Sequence, residues 1–344
     1  MERGHDTTIY DIARSAGVSP STVSRALRGS GQLNSATIQR VRAAAQSMGY
    51  RPNAVARSLT AGRSDSIALM LPDIANPFFP ALVKEVQLRA HYHGFTVLLC
   101  NTSADAGVEI EYLEMLASRR IEGVLAMGLS ASTEVLRRYL GYGMRFVTLD
   151  RSSALDEILS VQSDHLQGGL LATEHLLELG HRDIGYISGP LSVSVAAERR
   201  AGHRAALQTA GILPRQELDL EGDFSEGSGY RAVEALLSRR VAFTALAVGN
   251  DLMALGAIAA LREAKVATPE AVSVIGFDDI SIGRYAVPPL TTVRQPLAKL
   301  ATAAVDLLVE GRSAGDDSPA RLPVELVVRG STRAIGATGE PKAM

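Results

Sequence analysis

The chain has 344 residues, 46% hydrophobic and 21% charged, a composition that excludes disordered, collagen-like and disulfide-framed proteins and fits an ordinary globular chain. That length implies at least two domains, since domains cluster at about 100–150 residues. The net charge of −2 conceals a split: residues 1–63 hold nine Arg, no Lys and only Glu2, Asp6 and Asp11, a balance of +6 that leaves −8 on the remainder, so a small basic head precedes a large acidic body.

No run approaches the roughly 20 apolar positions that cross a bilayer, and the opening Met1-Glu-Arg-Gly-His-Asp6 lacks the apolar core of an export signal. The single Cys100 ends the apolar run Phe95–Cys100, has no intramolecular disulfide partner and is expected to pack as a small hydrophobe. A cytoplasmic protein with no membrane partner is the expectation.

The head reads as short helices. Thr8-Ile-Tyr-Asp11 has the form of a capping box and predicts a helix from about Ile9 to Ala16, with Ile9, Ile12 and Ala13 inward and Gly17 as its stop. Ser19 can cap a second helix running to about Arg28, whose first residue, Pro20, loses no hydrogen bond there. After Gly29-Ser-Gly31, Asn34 can cap a third helix from Ser35 to Met48, with Gly49 as a left-handed stop. Two helices joined by a tight turn and braced by a third make a helix-turn-helix unit. On the second helix Val23 and Leu27 turn inward, while Ser21, Thr22, Ser24, Arg25 and Arg28 form a polar face suited to a major groove. Arg25 is the candidate base reader, because a guanidinium bonds guanine O6 and N7 together, and the hydroxyls suit phosphates. The candidate DNA interface also takes in Thr8, Ser19, Asn34, Tyr50, Asn53, Ala56 and Leu59. The bland alternative is a helical bundle with a solvated face.

Pro52 precedes Asn53-Ala-Val-Ala-Arg-Ser-Leu59, which is helical in composition but shorter than the roughly 12 residues a helix needs in water. It is expected to fold only against something. Leu59 either wedges between base steps of a minor groove or packs on a neighbouring lobe.

From Ser66 onward apolar runs alternate with amphipathic stretches. Strands are predicted at Ile67–Leu71, Phe95–Cys100, Gly123–Met127, Phe146–Leu149, Ile184–Ile187, Ala245–Val248 and Val272–Phe277. Helices are predicted at Ala81–Ala90, Glu109–Leu116, Leu166–Leu179, Ala196–Ala210, Tyr230–Leu237 and Leu252–Ala264. That alternation means parallel sheets with crossover helices, and the strands are too many for one tight core, so two doubly wound lobes are expected. Ligands of such sheets bind beyond the carboxyl ends of strands. There the chain places Asn76, Phe78 and Phe79, then Asp150 and Arg151, then Asn250, then Asp278, and Arg199, Phe224 and Gln295 complete a ring. Flat aromatic faces with carboxylate, guanidinium and amide groups suit a sugar. Each residue also has a bland reading, as a turn residue at Asn76 or a solvated strand end at Asp150-Arg151 or Asp278-Asp279.

The chain lacks phosphate-loop, dinucleotide and zinc-protease motifs. His91-Tyr-His93 is expected to sit solvated at a helix end, and adjacent Asp278 and Asp279 to point apart rather than share a metal. No enzyme activity, cofactor or metal is therefore expected. A transport sugar-binding protein would not carry a basic head, and an architectural DNA-binding protein would not need the pocket.

The stretches Thr8–Leu27, Gly49–Leu59, Gly180–Ile184, Val248–Gly256 and Ser273–Asp279 resemble the lactose/galactose/purine repressor family over nearly the whole chain. The resemblance implies a small all-α helix-turn-helix head on an α/β periplasmic-binding-protein-like body. It also implies a second helix in the major groove, with Ser21 and Arg25 on it, and a hinge helix over 53–59 whose Leu59 intercalates at the centre of a palindrome. Pro20 and Ser21 stand where some relatives carry larger base-reading side chains. The boundaries it suggests are a head over 1–51, a hinge over 52–63 and a body over 64–336, followed by a tail over 337–344. Within the body, lobe 1 would span about 64–160 and 292–320, and lobe 2 about 161–291 and 321–336. The ten pocket residues also resemble the set of periplasmic ribose-binding proteins, which implies a pentose or related monosaccharide. The family's tetramers carry C-terminal heptads; the end Gly336–Met344 has none, so a homodimer on a pseudo-palindromic double-stranded operator is expected. The sign of control stays open between sugar-induced release and corepression by a nucleobase or phosphorylated metabolite.

Overall fold

A computed structural model describes residues 7–28, 33–50, 64–129, 131–150, 155, 157–311 and 321–335. By its internal contacts the chain divides after Ser64 into a head and a body. The expected hinge over 52–63 and tail over 337–344 lie outside the described residues.

In the head, α1 (Ile9–Ala16), α2 (Pro20–Arg28) and α3 (Ser35–Ser47) follow local signals. Thr8 closes a capping box with Asp11, Ser19 Oγ accepts the Thr22 N–H at 3.2 Å, and Asn34 accepts the Ala36 N–H at 3.0 Å. The core comprises Ile12, Ala13, Ala16, Val23, Ala26, Val41 and Ala45. Ala26 fills the centre where Leu27 was expected, and Leu27 is half-buried beside it. Small alanines on all three helices let their axes approach closely.

The body's first sheet has the order β2 (Thr96–Asn101), β1 (Ser66–Leu71), β3 (Gly123–Met127), β4 (Arg145–Leu149), β5 (Leu159–Val161), all parallel. The second has the order β11 (Glu325–Val327), β10 (Thr291–Arg294), β9 (Ser273–Asp278), β8 (Ala245–Val248), β6 (Ile184–Ser188), β7 (Asp219–Glu221), parallel except for β11. Along β1 alternate residues serve two cores. Ile67, Leu69 and Leu71 pack with α4 (Phe78–Tyr92) and α11 (Leu297–Glu310), and Ala68 and Met70 with α5 (Ala106–Ser118) and α6 (Thr133–Gly141). The second sheet is sandwiched likewise. Leu246, Val248 and Val274 face α9 (Glu226–Ser238) and α10 (Asp251–Glu263), and Tyr186, Ala247 and Ile275 face α7 (His165–Glu178) and α8 (Ser194–Thr209). Both lobes are therefore doubly wound, with strand order reversing at β1/β3 and at β6/β8.

The chain crosses between lobes after β5, after β10 and before β11. The second crossing falls later than the expected boundary at 291/292, because Thr291–Arg294 pairs with β9 in the second sheet. The first and third crossings are bonded to each other: the Leu322 N–H donates to Gln162 O at 2.7 Å and the Asp164 N–H to Leu322 O at 2.8 Å. Cys100 is buried, which pushes its thiol up to about 11. His93 corrects another expectation: rather than facing solvent, its Nε2 lies 2.9 Å from Asp306 Oδ1 on α11, a carboxylate that also receives Arg89. Among the described residues no helix is long and apolar enough to cross a membrane.

α7 and α8 meet through glycines. A Cβ on Gly169 would stand 2.0 Å from Arg199 O, and one on Gly202 would stand 2.1 Å from Leu166 O. Gly202→Ala is expected to force these helices apart and cost about 1–3 kcal/mol, checked by denaturant unfolding. In the same interface His203, 4% exposed, stacks on Tyr186 and reaches the Thr173 hydroxyl at 2.9 Å through Nδ1. Burial lowers its pKa to about 4. The unfolded chain thus takes up the proton first, so this site's contribution is complete above about pH 6.5 and declines as pH falls from there, by about 1.4 kcal/mol per unit. Melting temperatures followed from pH 7.5 to 5 are expected to fall, and His203→Asn to flatten the slope.

Candidate functional site

The head presents one polar face. Ser21 and Arg25, one turn apart on α2, are exposed, Thr22 and Ser24 are half-exposed, and Val23 and Ala26 close the opposite side. Thr8, Ser19 and Asn34 are exposed helix caps, and Tyr50 packs in part against the head core. The side chain of Arg28, together with Asn53, Ala56 and Leu59, lies outside the described residues.

In the body the strand ends bring four of the ten expected pocket residues, Arg199, Asp278, Gln295 and Asp150, into one buried network. Arg199 is 5% exposed and has all three guanidinium nitrogens engaged. Nε donates to His165 Nδ1 at 3.2 Å, Nη1 donates to Gly249 O at 2.6 Å, and Nη2 lies 3.4 Å from Asp278 Oδ1. The guanidinium stands over the Phe277 ring, 3.7 Å from its centroid. Asp278 Oδ1 also accepts the Gln295 amide at 2.7 Å. Across the crevice, Asp150 Oδ1 accepts the Ser163 N–H at 2.8 Å and lies 3.1 Å from His165 Nε2.

Electrostatics separates the carboxylates. Burial pushes Asp150 up, but the His165 imidazole, the Ser163 N–H and Arg199 outweigh it and hold the carboxyl below its ordinary value. Burial dominates at Asp278, which lies above the ordinary value despite Arg199 and Gln295. Asp251 lies well above it, through burial and then the neighbouring Asp278; it accepts the Thr292 hydroxyl at 2.6 Å and the Ile280 N–H at 2.8 Å and so braces the ends of β9 and β10. Asp279 points the other way, to Arg284, Arg294 and Arg329. The pair thus diverges, as adjacent strand-end residues do.

Three pocket residues carry left-handed backbone: Asp150 (φ 55), Phe224 (φ 68) and Asp278 (φ 111). Such conformations cost about 1–3 kcal/mol each and concentrate where a side chain must be aimed. Phe224 lies over Gly189, where a Cβ would meet its ring at 2.1 Å. Asn250 is engaged at both ends, Oδ1 capping α10 through the Met253 N–H at 2.9 Å and Nδ2 donating to Phe224 O at 2.9 Å. Asn76 Oδ1 accepts the Phe78 N–H at 3.1 Å. Phe78 is core, edge-on to a half-buried Phe79 at 5.3 Å between centroids. Arg151 lies outside the described residues. Sequence reasoning passed over His165, Ser163 and Phe277. His165 and Ser163 lie beyond a crossing rather than after a strand predicted from the sequence, and Phe277 reads as ordinary core.

Residues 8–53 match the family described as bacterial regulatory proteins, lacI family, and residues 173–332 match a periplasmic binding protein-like domain. The HTH-type transcriptional repressor PurR of Edwardsiella ictaluri is 37% identical over 305 residues, which cover 88% of this chain and 89% of that protein. The lac repressor dimer bound to operator and the anti-inducer ONPF superposes with a TM-score of 0.85 at 31% identity, over 95% of this chain and 99% of that one. A LacI-family regulator from Enterococcus faecium with bound ribose does so at 0.70 and 32%, over 78% and 98%. With a helix-turn-helix head, two parallel-sheet lobes and this degree of identity along most of its length, the chain belongs to the LacI family and is a DNA-binding transcriptional repressor.

Proposed function

We propose that the repressor is a cytoplasmic homodimer released from a pseudo-palindromic operator by a neutral monosaccharide, ribose or a related pentose or hexose. The observation that carries the sugar reading is the pairing of two buried carboxylates, Asp150 and Asp278, with one arginine, Arg199, whose acceptor Gly249 is followed by Asn250, the residue bonded to the Phe224 carbonyl. Carboxylates on opposite sides of a crevice accept from adjacent hydroxyls, and an aromatic face covers sugar C–H groups. Among the described pocket residues the cation is Arg199, and it is already met by Asp278 and the Gly249 carbonyl, which supports a neutral ligand over a phosphorylated metabolite. The ribose-bound relative and a second family member complexed with D-xylulofuranose support the same ligand class. Binding shifts the balance between lobe settings only by differential affinity. For the dimer, Ile282, Tyr285, Val287 and Val328 are exposed, and the Leu290–Gly283 and Gly330–Pro289 backbone bonds gather their segments into one apolar patch.

A second reading, corepression by a nucleobase, is favoured by the PurR relatives. Calorimetric titration with ribose, other aldoses, hypoxanthine and guanine separates the two. Ribose or a close relative is expected to bind, with Asp278→Ala weakening it about 10- to 100-fold; heat from a nucleobase alone overturns the sugar reading. For the head, Arg25→Ala is expected to cost about 1–3 kcal/mol on the DNA this protein selects from a random pool, with relaxed preference at one base pair of each half-site. Anisotropy titrations on the selected DNA and single-base variants read both.

A further inference from the structure

We propose that His165 is a positioning residue of the ligand pocket, joining the carboxylate of one lobe to the arginine of the other so that Asp150 and Arg199 are aimed together. The inference rests on the pocket reading above and adds a group outside the expected ring. His165 is the first residue of α7, immediately beyond the first crossing, and is 1% exposed. Its ring touches three things. Phe277 lies against it with centroids 5.9 Å apart, Arg199 Nε donates to Nδ1, and Asp150 Oδ1 stands 3.1 Å from Nε2.

The donor fixes the tautomer. Arg199 has only N–H groups to offer, so Nδ1 must hold a lone pair, and the ring proton resides on Nε2, 3.1 Å from Asp150 Oδ1 though out of line for a hydrogen bond. In the reverse tautomer two N–H groups would face each other at 3.2 Å and a bare nitrogen would face a carboxylate. The ring therefore reads the cation on one side and the anion on the other. Its contact with Asp150 uses Oδ1, as the Ser163 N–H does, and Arg199 and Gln295 likewise use Oδ1 of Asp278. This arrangement leaves Oδ2 of each carboxylate without a partner among the described residues, which suits a substrate class with two hydroxyl donors. Because Asp150 follows β4 and Arg199 lies on α8, the imidazole carries alignment from lobe to lobe.

The test compares wild type, His165→Phe, which keeps a ring against Phe277, and His165→Asn, whose amide oxygen can accept from Arg199. Ribose affinity by calorimetry is expected to fall about ten-fold or more in His165→Phe and to recover in part in His165→Asn. Equal affinity in wild type and His165→Phe overturns the inference and leaves the pocket reading in place. Absence of ribose binding by wild type overturns the ribose reading instead, and the ligand-free protein then decides. Its histidine 15N spectrum, with His165 assigned by the signal lost in either variant, is expected to show a protonated Nε2 and an accepting Nδ1. A protonated Nδ1 overturns the inference.

Discussion

Arg199 lies almost fully out of water, and a guanidinium is tolerated at that depth only where partners meet it on every side. That requirement organises the crevice. A carbonyl must come from the turn after β8, a carboxylate from the end of β9, a ring from Phe277 beneath and an imidazole from the start of α7. The two glycine contacts between α7 and α8 are what let the helix carrying Arg199 come close enough to the helix carrying His165. A charge that would be costly alone thereby becomes the point at which four elements agree on position.

The sheets supply the frame and the irregular backbone supplies the aim. Strands β4 and β9 are buried and regular up to Leu149 and Phe277, and the next residue in each adopts a left-handed conformation that regular strands exclude. The carboxylates are therefore turned by backbone rather than by side-chain rotamer, which leaves little freedom to lose when something binds. Asp251, pushed well above the ordinary carboxyl value by burial and then by Asp278, accepts from Thr292 and the Ile280 N–H and so ties the helix start to the strand end.

Legibility in the sequence followed the range of the forces involved. Caps at Thr8, Ser19 and Asn34 act over three residues and could be read directly, as could long apolar strands. Strands β5, β7, β10 and β11, of three or four residues, owe their existence to neighbours already in place and gave no periodic signal. Helix α11 has a regular buried stripe, Leu300, Ala301, Ala304, Val305 and Leu308, over the first sheet, and the sequence reading passed over it. In the crevice the strand-end rule led to Asp150 and Asp278, whereas His165 opens a helix and Asn250 spends its amide on α10 and the Phe224 loop. His93 was misjudged because its partner, Asp306, is 213 residues away.

The bonded crossings carry a mechanical consequence. Gln162, Asp164 and Leu322 tie two of the three inter-lobe strands into a ribbon, and a ribbon bends easily across its flat face while resisting sliding of one edge along the other. Such a flexure passes rotation and blocks translation. The lobes are thereby restricted to swinging about an axis in the ribbon's plane, like a hinge cut from sheet metal, so any signal leaving the crevice leaves it as an angle.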